Sequence, residues 1–101
     1  MIVAFSIAPA SPDDTGSYAE AVAEAVGIVR ASGLPHETNS MFTNIEGEWD
    51  EVFGVLKECV DAMTARHPRV SLVVKADIRP GHTGMLGSKV RRIDEVLGSA
   101  D

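Results

Sequence analysis

The chain opens on an almost wholly apolar run, Ile2 to Ala8, closed by Pro9 and Pro12, with Val3, Phe5 and Ile7 on one side of an extended backbone and Ile2, Ala4, Ser6 and Ala8 on the other. That alternation predicts a buried strand. The period then changes. Ser17 and Glu20 stand three apart, a spacing at which each side chain satisfies a free backbone N–H at a helix start, and Tyr18, Val22, Ala25, Val26 and Val29 supply an apolar stripe. Gly33 and Leu34-Pro35 stop this helix. From His36 to Ile45 no helical period runs, and the turn-prone pair Asn39-Ser40 splits the segment into two short strands.

At Asn44 to Phe53 the chain turns from strand to helix around Gly47. Trp49, Val52, Phe53, Leu56, Cys59, Val60 and Met63 recur at three-and-four spacing, predicting a central helix that runs to about Ala65 before His67-Pro68 breaks it. Glu48, Asp50 and Glu51 fall in its first turn, where carboxylates suit the exposed N–H groups. In a fourth strand, Val70 to Ile78, the residues Val70, Leu72, Val74, Ala76 and Ile78 form an apolar face expected to meet helices, and Ser71, Val73, Lys75 and Asp77 a mixed one. The loop Arg79 to Gly87 carries glycines three apart but matches neither phosphate-binding fingerprint. Met85, Leu86, Val90, Ile93, Val96 and Leu97 predict a last amphipathic helix.

This order predicts an α+β fold, a ferredoxin-like βαββαβ sandwich with an additional C-terminal helix, over a single domain of residues 1–101. Two helices cover one sheet face. The other, carrying Ser6, Lys75 and Asp77 beside Ile2, Ala4, Val73 and Phe42 or Met41, is left to water, a ligand or another subunit, so self-association as a dimer or tetramer is expected, with the last helix adding contacts.

Charge narrows the partners. Fifteen acidic against nine basic residues give a net charge of -6, which disfavours nucleic acid and anionic lipid and suits a cationic or neutral ligand. The short cluster Lys89-Val90-Arg91-Arg92 reads as a solvated helix face. The opening run has no basic leader and is too short to span a membrane, so a cytoplasmic protein is expected.

Reactive chemistry is sparse. The single cysteine, Cys59, sits in an apolar stripe and reads as a small buried hydrophobe, and it excludes a disulfide framework within the chain. His36, His67 and His82 lie in separate segments without metal-ligand spacing, so no metal site is expected. Ser6 or Ser40 would need a histidine delivered by folding to act as a nucleophile. Glu46 and Glu48 are paired carboxylates, but acidic residues at a helix start look alike whether or not they do acid–base chemistry. A binding pocket remains: Phe5, Ser6, Met41, Thr43 and Asn44, with Glu46 or Asp77 nearby, could stack a flat ring and accept hydrogen bonds from an amino group.

Over Glu37 to Lys57, in Met41, Thr43 and the run Ile45-Glu46-Gly47-Glu48-Trp49-Asp50-Glu51-Val52-Phe53, and again in Arg69-Val70 and Val73 to Arg79, the sequence resembles the small thiamine-binding proteins related to the YkoF-like thiamine and hydroxymethylpyrimidine binders. With the Ser17 to Glu24 helix start, the resemblance spans nearly the whole chain. It implies a ferredoxin-like fold, dimers that pair into tetramers, thiamine or its pyrimidine bound near subunit contacts, and no cofactor-dependent catalysis. The sequence departs from the family's pattern in two places: Asn39-Ser40-Met41-Phe42-Thr43 stands where Thr-Pro-Met-Gly-Thr is frequent, so a bulky Phe42 replaces a glycine, and Val60 replaces a common histidine. The leading expectation is a non-enzymatic binder of thiamine or an aminopyrimidine. The alternatives are a small dimeric ferredoxin-like enzyme with Glu46 or Asp77 as base, and an amino-acid-binding regulatory module.

Overall fold

The computed structural model describes residues 1–11 and 18–98. Its elements are β1 (Ile2–Pro9), α1 (Ala19–Ala31), β2 (His36–Thr38), β3 (Thr43–Glu46), α2 (Trp49–Thr64), β4 (Val70–Asp77) and α3 (Met85–Val96). The strands form one sheet in the order β2-β3-β1-β4, and each neighbouring pair runs antiparallel. This is the ferredoxin-like arrangement with an added C-terminal helix. The expected Ser17–Glu20 cap and the Pro12 stop involve positions outside the described residues.

β1 is the sheet's central strand, and its alternation places Val3, Phe5 and Ile7 against the helices. Ile45 joins them from β3, Ala25 and Val29 from α1, and Val52, Val55, Leu56, Cys59 and Met63 from α2, making one contiguous core. Removing these side chains from water is the main favourable contribution to folding. The turn into α2 depends on Gly47, where an added Cβ would come within 3.2 Å of Val52 Cγ2 and 3.4 Å of Leu34 Cδ1. A side chain there would press into the close-packed core. The Glu48 N–H at the start of α2 donates to Glu51 Oε1 at 3.0 Å, satisfying one of the amides that a helix start leaves open.

Three expectations are corrected. Trp49 is 58 % exposed and packs on Phe53, with ring centroids 4.4 Å apart. Its place is taken by Val55, which is buried though the periodic reading passed it over. In α1 only Ala25 and Val29 of the expected stripe are buried, leaving Tyr18 and Val22 exposed. The helix-side residues Leu72 and Val74 of β4 remain 41 % and 39 % exposed. The reason is position: β4 is an edge strand, and the described core centres on β1, β3 and the two long helices.

The opposite sheet face is not left wholly open. α3 lies against it, and Met85, Leu86, Lys89, Val90 and Ile93 share a cleft with Ile2, Ala4, Asn44, Lys75 and Asp77. None of its residues is buried.

These burial differences predict unequal costs. Ile45→Ala, at a fully buried position, should lower stability by about 3 kcal/mol. Trp49→Ala should lower it by only about 1 kcal/mol, the scale of one exposed aromatic pair. Urea unfolding of the two variants checks this, and equal costs would contradict the packing described.

Candidate functional site

β1 and β3 have unequal lengths. Ile2 to Phe5 pair with Glu46 to Thr43, and there β3 ends, while β1 continues through Ser6, Ile7, Ala8 and Pro9 paired only with β4. From Ser6 onward the β3-side edge of β1 has no strand partner among the described residues. Backbone N–H and C=O groups on such an edge must find other partners or solvent.

Beside this edge lies a cleft of about 190 Å³. β1 contributes Phe5, Ser6, Ile7 and Ala8, α1 and its approach contribute Tyr18, Val22, Ala25 and Val26, and the β2–β3 connection contributes Thr38 to Thr43. Asn39 shapes that connection. Its Oδ1 accepts from the Met41 and Phe42 N–H groups, both at 2.9 Å, and its own N–H donates to the Phe42 carbonyl at 2.9 Å. An asparagine that imitates a backbone turn in this way holds the loop in one shape. Met41 is consequently held outward, 71 % exposed, at the cleft. Thr38 Oγ1 and Thr43 Oγ1 lie 3.1 Å apart, hydrogen-bonded to each other across β2 and β3.

The expected site residues therefore divide. Phe5, Ser6, Met41 and Thr43 meet in this cleft. Asn44 and Asp77 line the separate cleft under α3, where the Asn44 Nδ2–H donates to Glu37 Oε1 at 3.2 Å. Glu46 is engaged elsewhere: its Oε2 accepts the Met85 N–H at 2.8 Å and its Oε1 the Leu86 N–H at 3.0 Å. With only 5 % of its surface exposed, this carboxylate caps the start of α3, where the helix dipole favours negative charge. Glu46 and Asp77 both pair with Ile2, from opposite sides, so their strands are about 10 Å apart, twice the strand spacing.

Tyr18, Val22, Thr38 and Phe42 line the cleft but were not among the expected site residues. For Tyr18 and Val22 the signal was an apolar stripe at α1 with more residues than the core buries, whereas Thr38 and Phe42 reach the cleft only through the β2–β3 connection. Cys59 is held apart from such chemistry. Its Sγ–H donates to the Ala25 carbonyl at 3.6 Å, and burial pushes the thiol up to about 11, keeping it protonated at neutral pH. Among the described residues, no three His, Cys, Asp or Glu side chains gather as metal ligands, and no helix is long and apolar enough to cross a membrane.

The sheet order and the paired clefts define a small α+β binding scaffold, and comparison with known proteins places it. The chain belongs to the thiamine-binding protein family, whose sequence profile matches residues 3–94. It is 45 % identical over 98 residues to a UPF0045 protein of Mycobacterium bovis, covering 96 % of this chain and 94 % of that one. A UPF0045 protein of Synechocystis is 32 % identical over 82 residues, 80 % of this chain and 68 % of that one. Among solved structures, a hypothetical protein of Methanocaldococcus jannascii superposes with a TM-score of 0.82 at 28 % identity, covering 93 % of this chain and 95 % of its own. A Thermotoga maritima protein assigned to thiamine biosynthesis/salvage shares the fold with a TM-score of 0.79 at 23 % identity, over 91 % and 96 % of the two chains.

Glu46→Gln puts an amide in place of one carboxylate oxygen, leaving one α3 N–H without its acceptor. Stability should fall by about 2 kcal/mol, with faster hydrogen exchange at Met85 and Leu86. Unchanged exchange at those two amides would count against Glu46 as the cap.

Proposed function

We propose that this protein is a non-enzymatic binder of thiamine or free hydroxymethylpyrimidine, with the aminopyrimidine ring seated in the cleft beside Ser6 to Ala8. The observation that carries this reading is the unpartnered edge of β1 at the floor of a ring-sized, partly aromatic cleft. An aminopyrimidine presents a donor and an acceptor side by side, the pattern that a free strand edge complements. Tyr18, Phe42 and Met41 offer faces on which a flat ring can stack, and Ser6 and Thr43 offer hydroxyls. At about 190 Å³ the cleft is smaller than the ~300 Å³ at which drug-sized sites begin. It therefore suits the pyrimidine alone, with the thiazolium of thiamine directed outward over an acidic surface that favours its charge. Membership of the thiamine-binding family supports the same ligand class.

No residue is given a catalytic role in this reading. Glu46, the strongest candidate for a base, has both oxygens accepting amide hydrogens of α3, and the thiol of Cys59 is buried.

Titration calorimetry and thermal shift with hydroxymethylpyrimidine and with thiamine test the ligand. Both should bind and raise the melting temperature, because a ligand of the folded state stabilises it. Met41→Ala and Tyr18→Ala, at exposed positions, should each weaken binding by about tenfold, the cost of roughly one stacking contact. Neither heat nor stabilisation at near-millimolar ligand would overturn the assignment.

We also propose that the chain acts as one domain and assembles at least as a dimer, up to a tetramer. The motivation is β4, whose free edge carries Leu72, Val73 and Val74 exposed to solvent. Exposed apolar strands of this kind invite a covering surface. Light scattering at micromolar concentration should give a multiple of the chain mass, and Val73→Asp should reduce it to the monomer. A monomer mass for the unaltered protein would refute the assembly.

A further inference from the structure

On the side of α3 turned toward the end of β4 lies a third, larger groove of about 860 Å³. This is within the ~300 to 1,000 Å³ of ordinary small-molecule sites. One whole stripe of α3 lines it: Met85, Ser88, Lys89, Arg92, Ile93 and Val96, at helical spacing. The far wall comes from Asp77, Arg79 and His82. The groove combines an apolar lining with cations from two separate segments.

That combination is at odds with the rest of the molecule. The chain has a net charge of -6 and only nine lysines and arginines, yet Arg79, Lys89 and Arg92 converge on this one groove. Among the described residues the ion pairs are Lys57–Asp61 and Arg66–Glu24, and neither uses a groove cation. Among the described residues Arg79, Lys89 and Arg92 form no ion pair, and set against the one carboxylate of the lining, Asp77, they leave the groove a net positive charge suited to an anion. The solvated-face reading of Lys89 to Arg92 therefore holds only in part, since Lys89 and Arg92 turn to the groove lining.

We propose that the groove between α3 and the segment after β4 binds a phosphate monoester carried on an apolar or aromatic body. The two guanidinium groups match phosphate geometry through paired N–H donors, Lys89 adds a point charge, and Met85, Ile93 and Val96 take the body. Charge separates this ligand from that of the cleft beside β1, which holds no lysine or arginine. The two sites share no residue, so either can fail without the other.

Phenyl phosphate is the probe, titrated at low ionic strength into the unaltered protein, with inorganic phosphate, phenol and benzoate as controls. Binding should be about tenfold tighter for phenyl phosphate than for each control, because only it offers both a dianion and an apolar body. It should weaken as salt is raised. The double variant R79Q/R92Q should lose about tenfold in affinity for phenyl phosphate and keep the unaltered protein's response to hydroxymethylpyrimidine. Amide shifts induced by the probe should centre on residues 85–97. Equal binding of benzoate would reassign the groove to carboxylates and overturn the phosphate proposal. So would undiminished binding to the double variant. If phenyl phosphate fails to bind and the double variant loses an oligomeric mass that the unaltered protein has, the groove belongs to a subunit contact and the proposal falls.

Discussion

β1 is hydrogen-bonded on both edges for only half its length, and much of the molecule follows from that mismatch. Across Ile2 to Phe5 it is an interior strand with β3 on one side and β4 on the other, and Val3 and Phe5 anchor the core there. Beyond Phe5 it keeps one partner, because β3 is only four residues long. A missing strand segment in a sheet leaves a slot of backbone donors and acceptors with side chains on its flanks. The loop shaped by Asn39 and the start of α1 close around that slot, turning a shortened ladder into a cleft.

The other end of β3 meets the opposite requirement. Glu46 lies on the sheet face away from α1 and α2, where a buried carboxylate needs strong compensation. It finds this in the first two amides of α3, groups that also lack intrahelical partners. Each side of the contact satisfies what the other leaves unmet. The contact fixes the start of α3 to a sheet face that Met85, Leu86, Lys89, Val90 and Ile93 otherwise meet without any of them becoming buried. The groove beside the β4 end runs along this same helix, from Met85 at the gripped start to Val96.

The exposed apolar residues of β4 and the converging cations of α3 are consequences of the same layout. Two long helices pack over β1 and reach β4 only in part, so Val70 meets the core while Leu72 and Val74 of the edge strand stay exposed, and α3 covers part of the second face near Ile2. What a pattern along the chain marks as a face for burial can be met by the chain itself or by another surface, and both forms occur here. Val29 is covered within the chain, whereas Val74 is not.

The element order, the helix-facing side of β1, the break at Gly47 and the α2 face through Val52, Leu56, Cys59 and Met63 were legible in the sequence, because each follows from local periodicity and from residues that start or stop backbone structure. The resemblance through Ile45 to Phe53 also carried the family. Tertiary structure alone decided which apolar residues are covered, since that depends on strand order: Val74 and Trp49 carry the same local signal as Phe5 and Val52 yet lie outside the core. It decided too that Glu46 meets an amide pair 39 and 40 residues away, and that Phe5, Ser6, Met41 and Thr43 share one cleft while Asn44 and Asp77 belong to another. A carboxylate's partner and a pocket's wall are set by chain segments far apart in sequence, and periodicity holds no record of that distance.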